Sequence, residues 1–89
     1  MAKAEIGWVR RTAEGEKCEV YARRVGGQWR FYARARRYDR WQLVAHPPLE
    51  DWLKLLDAVR RRVARRKLRP EETHRVKTSI QEDYPEADF

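Results

Sequence analysis

Gly26-Gly27 sits between two alternating runs, Cys18–Val25 and Trp29–Ala35, and this pattern constrains the fold more than any other feature of the chain. A Gly-Gly pair between such runs marks a two-residue hairpin, because glycine takes positive φ without steric cost. Pairing Val25 with Gln28 sets Arg24 opposite Trp29, Ala22 opposite Phe31, Val20 opposite Ala33 and Cys18 opposite Ala35. That face is apolar. The other face pairs Arg23 with Arg30, Tyr21 with Tyr32, Glu19 with Arg34 and Lys17 with Arg36. Like charges directly opposite one another destabilise a sheet, so Arg23/Arg30 and Lys17/Arg36 call for an explanation.

Ahead of the hairpin, Ile6–Arg11 reads as a first strand and Gly15 as the left-handed residue of a longer loop. Trp8 opposite Val20 and Ile6 opposite Ala22 extend the apolar face, while Gly7 falls beside Tyr21 and leaves room over that ring. After the hairpin, Trp41–Ala45 alternates again and reads as a fourth strand with Trp41, Leu43 and Ala45 inward. One strand from Trp29 to Val44 is the alternative, but its length would be well beyond the usual range. His46-Pro47-Pro48 ends the strand pattern, since neither proline can donate to a ladder.

From Pro48 the apolar period changes to three and four. Leu49, Trp52, Leu53, Leu56, Val59 and Val63 form a helical stripe with Leu55 at its margin, predicting a helix over 48–68. Pro48 suits the first turn, and Glu50 and Asp51 suit the positive end of the helix dipole. Pro70-Glu71-Glu72 opens a second helix over 70–84, with a narrow stripe of Val76, Ile80 and Tyr84 that requires a surface to dock on. Residues 85–89 form an acidic tail. The expectation is one small α+β domain over 1–89: an antiparallel meander of three to four strands within 5–46, one face covered by the long helix, then a shorter helix.

Charge bears on function. The chain is +7 overall, with +6 in residues 1–46, +5 in 47–69 and −4 in 70–89. Sixteen of the 21 basic residues are arginine, which forks onto phosphate and stacks on flat rings. Tyr21 and Tyr32 with Arg23, Arg30, Arg34 and Arg36 form the most specific grouping, the chemistry of a single-strand binder that stacks bases and holds phosphates. Seven of the ten residues from Arg60 to Arg69 are basic, and Arg61 and Arg65 are further phosphate candidates. Against this stand a solvated sheet face and an arginine content set by genomic composition. Trp8, Trp41 and Trp52 read as core, and Trp29 opposite Arg24 as a cation–π pair at the sheet edge.

A curved antiparallel sheet followed by a helix, with a basic aromatic face, resembles the Whirly-type and Pur-type single-stranded nucleic-acid-binding folds. The resemblance covers residues 6–68 and rests on element order; the helix after Pro70 is additional. It implies a dimer that binds through the sheet.

Catalysis finds little support. His46 and His74, Ser79 and Cys18 are the only residues of their types and show no nucleophile–base spacing. Cys18, His46 and His74 lack the paired spacings of a zinc site, and no glycine-rich phosphate loop or other cofactor motif is present. A lone core cysteine fits a reducing compartment, and no apolar run approaches membrane-spanning length. The sequence therefore reads as a non-enzymatic cytoplasmic protein without metal, cofactor or membrane partner. Two functional classes stay open: a module binding single-stranded DNA or RNA, and a protein-interaction or self-assembling module, such as a homodimer, pairing basic face with acidic partner or tail.

Overall fold

Gly26, at φ +63°, turns the chain between Val25 and Gln28, and the register on either side follows from that turn. The structure is a computed structural model describing residues 5–35 and 39–87. Strands β2 (Lys17–Val25) and β3 (Gln28–Arg34) pair antiparallel with Ala22 opposite Phe31, Tyr21 opposite Tyr32 and Glu19 opposite Arg34. The expected partners of Lys17 and Cys18 are not part of this ladder: β3 stops at Arg34, and Arg36 lies outside the described residues. Strand β1 (Glu5–Arg11) pairs with β2 in the expected register, Ile6 opposite Ala22, Gly7 opposite Tyr21 and Trp8 opposite Val20. Its loop closes through Gly15 at φ +84°, whose amide donates to the Thr12 carbonyl at 2.9 Å, while the Thr12 amide donates to Glu16 at 2.8 Å.

Strand β4 (Gln42–Val44) completes a four-stranded meander in the order β1-β2-β3-β4. Here the expected orientation is overturned. Val44 pairs with Phe31 and Leu43 with Tyr32, so Val44 belongs to the apolar face and Leu43 to the tyrosine face. Side chains alternate with a period of two, so a register differing by one residue turns every side chain over. The apolar face buries Ile6, Cys18, Val20, Ala22, Trp29 and Phe31, with the half-buried Trp8 edge-on to Phe31 at 6.0 Å. Trp29, read above as an edge residue, is buried.

The chain divides into two compact units, residues 1–45 and 46–89, the first carrying the sheet and the second both helices. Helix α1 (Leu49–Ala64) begins one residue later than expected, because Pro48 is its extended N-cap, with a carbonyl accepting from the Asp51 and Trp52 amides at 3.0 and 3.3 Å. Its buried stripe is Trp52, Leu55, Leu56 and Val59; Leu55 is central rather than marginal, and Leu53 is exposed. The spacing i, i+3, i+4, i+7 explains the difference, since Leu53 lies about 100° around the helix from Trp52.

The helix ends four residues before the expected Leu68. Arg66 takes φ +60°, its amide donates to Val63 at 2.9 Å, and the Lys67 amide donates to Arg62 at 2.8 Å. These two bonds and the left-handed residue between them are a Schellman cap, normally built on glycine. Helix α2 (Glu71–Asp83) packs on α1 and buries Glu72, Val76 and Ile80. Tyr84 donates from its hydroxyl to the Pro47 carbonyl at 2.7 Å, tying the end of α2 to the approach to α1. The Val76/Ile80 stripe is thus covered within the chain. Among the described residues no helix is long and apolar enough to cross a membrane.

Candidate nucleic-acid interface

Strand alternation brings five of the eight expected site residues onto one sheet face: Tyr21 and Arg23 from β2, and Arg30, Tyr32 and Arg34 from β3. Arg36 is outside the described residues, and Arg61 and Arg65 belong to the helical unit. There Arg61 forms an exposed i,i+4 ion pair with Asp57 at 3.0 Å, and Arg65 is the exposed C-cap residue of α1.

Cross-strand rows organise the sheet face. In the middle row, Gly7, Tyr21, Tyr32 and Leu43 lie side by side across all four strands. The two tyrosine rings stack, with centroids 4.9 Å apart and planes 19° from parallel. Trp41 stands perpendicular to Tyr21 at 4.6 Å, so three rings form one continuous aromatic surface. Trp41 was expected in the core, yet it is 37% exposed. Its partners explain the placement: the Arg34 guanidinium lies 4.2 Å above its ring, a contact worth about 0.5–2 kcal/mol depending on desolvation. This is the site residue that sequence reasoning missed. Its signal was the parity of Val44, which is apolar and can join Phe31 only if Trp41 and Leu43 face the tyrosines.

The arginines are not equivalent. Arg34 donates from Nε to Glu19 at 2.9 Å while covering Trp41, so both its charge and its plane are engaged. Arg23 lies 3.7 Å from Glu5, a carboxylate the β1 register brings opposite it. Glu5 therefore joins Glu19 in relieving this face. Arg30, directly across from Arg23, is exposed and makes no ion pair among the described residues.

Burial raises the Tyr21 pKa above the ordinary 10, helped by the neighbouring Tyr32 and Glu5 and opposed by Arg23. The Tyr21 hydroxyl therefore stays a neutral donor at physiological pH. Among the described residues no group of three or more His, Cys, Asp or Glu is placed to hold a metal ion. Comparison with protein-family models, curated proteins and solved structures found no match, so the resemblance to Whirly- and Pur-type folds rests on element order.

Proposed function

We propose that the chain is a small non-enzymatic module that binds single-stranded DNA or RNA on the tyrosine face of its sheet. The carrying observation is the continuous Tyr32–Tyr21–Trp41 surface bordered by the exposed Arg23 and Arg30 in a chain of net charge +7. Bases stack on aromatic rings whatever their identity, and arginines beside the rings hold the backbone. Tyr32, at the end of the platform with only Tyr21 stacked on it, takes the stacking role, and Arg30 is the arginine best placed to grip phosphate because no carboxylate among the described residues pairs with it. Arg34 instead positions Trp41. A duplex binds less well, since its paired bases cannot reach the rings.

A second reading is favoured by a separate observation. Leu43 and Val9 are more than half exposed on the same face, and two of its arginines already have carboxylate partners. That combination suits a protein-interaction surface, with a second copy or an acidic partner as its cover.

A titration of labelled single-stranded and duplex oligonucleotides at two salt concentrations separates the readings. Tyr32→Ala is expected to cost about 1–3 kcal/mol of single-strand affinity with little change in salt dependence. Arg30→Ala is expected to lower the magnitude of the log–log salt slope by roughly 0.7. Equal, weak, purely salt-driven binding by the wild type and Tyr32→Ala would overturn the stacking model. Concentration-dependent assembly in light scattering, lost on Leu43→Ser, would favour the second reading.

A further inference from the structure

One part of the tyrosine face runs against the character of the rest. A groove of about 570 Å³ opens beside Tyr21, with Gly7 in its lining and Val9, Trp41, Glu5 and Glu19 around it. In a chain of net charge +7, both ionisable charges on this groove are negative, and no arginine or lysine among the described residues lines it. The groove's own lining thus offers a phosphate no cation, the nearest arginines being engaged with these two carboxylates.

Glu19 is held by a hydrogen bond of 2.9 Å, and Glu5 by a looser ion pair at 3.7 Å. Arg34 binds Glu19 through Oε1, and Arg23 approaches Glu5 through Oε2, so that among the described residues the second oxygen of each is left as an acceptor. An ionised carboxylate accepts and never donates, so the groove recognises a flat group whose edge donates hydrogen bonds. Gly7 keeps it open. A Cβ there would sit 3.6 Å from Tyr21 Cβ and 3.5 Å from the Val20 carbonyl, ordinary contacts that the backbone tolerates, so larger side chains at this position extend into the groove without strain.

We propose that this groove seats one unpaired base of the bound strand and selects bases with a donor edge, guanine foremost. This rests on the strand-binding role of the same face. Guanine offers adjacent N1–H and N2–H donors to a single carboxylate, whereas adenine and cytosine offer one amino group. Thymine and uracil present an N–H flanked by two carbonyls, which a carboxylate repels. In a duplex the same edges are consumed by pairing.

The test uses the full chain and three labelled thymidine decamers: unmodified, with one central guanosine, and with inosine in its place, which lacks the N2 amino group. The expected affinity order is guanosine, inosine, thymidine, with about tenfold between the extremes, the scale of a good bidentate base contact. The Glu5→Gln/Glu19→Gln double variant is expected to remove this discrimination. Its binding of the unmodified strand should hold or rise, because Arg23 and Arg34 are released. Gly7→Val, which fills the groove and leaves every charge in place, is expected to flatten the order as well. Equal binding of the three strands by the wild type, or an order that survives the double variant, overturns the base seat while leaving strand binding intact. Failure to bind any of the three overturns both.

Discussion

Replacing Arg66 by glycine should stabilise this protein. Arg66 holds φ +60° at the end of α1, where an L-residue carries roughly 1–2 kcal/mol of steric cost relative to the right-handed region. Glycine relieves that cost and adds about 0.5–1 kcal/mol of its own through the greater freedom of the unfolded chain. The side chain is exposed and makes no ion pair among the described residues, so little is lost with it. The balance is a gain of roughly 0.5–1 kcal/mol, which in a chain of this size raises the melting temperature by about 2–8 °C. Thermal denaturation followed by circular dichroism reads this directly. Arg65→Gly is the control: Arg65 has φ −90°, an ordinary value, and glycine there should lower the melting point. Both variants lose one positive charge, so a shared shift would report charge rather than conformation. A melting point for Arg66→Gly at or below wild type would refute the assignment of the cap.

Two further outcomes follow from burial. Leu56→Ala removes a side chain 2% exposed and should cost about 2–5 kcal/mol, lowering the melting temperature by at least about 8 °C; an unchanged melt would show the helical stripe to be misassigned. The raised Tyr21 pKa means the folded protein holds that proton more tightly than the unfolded chain, so its contribution to stability is complete below pH 10 and declines as pH rises past it. Ultraviolet titration should show Tyr21 ionising late, a step that Tyr21→Phe removes, and Glu5→Gln should move it back toward its ordinary value.

How far the fold was legible depended on where a single residue type determines geometry. Gly26 could close the central hairpin and set Tyr21 against Tyr32, and Gly15 marked the loop that sets Gly7 against Tyr21. At Trp41–Ala45 no such marker exists. The segment reads apolar, polar, apolar, apolar, apolar, so hydrophobicity accepts either parity, and the register with β3 selects the one that puts Val44 beside Phe31. The premature end of α1 was hidden for a related reason: the capping position holds arginine, and propensity reads Arg65-Arg66-Lys67 as continuing helix. The site was half legible. The tyrosines and arginines follow from alternation alone, but Trp41, and the acidic groove formed where β1 brings Glu5 and Gly7 alongside β2, depend on pairings between segments distant in sequence.

The exposure of Trp41 gives the tyrosine face an intrinsic optical label. Trp29 and Trp52 are buried and Trp8 is half-buried, so Trp41 is the indole most open to water. Its emission should be the reddest of the four and the first to be quenched by iodide or acrylamide. A ligand settling on the aromatic surface would shield or quench that one component while leaving the other indoles undisturbed. Occupancy of the face can then be followed in the unmodified protein, and a phosphate-only encounter at Arg30 would leave the signal unchanged.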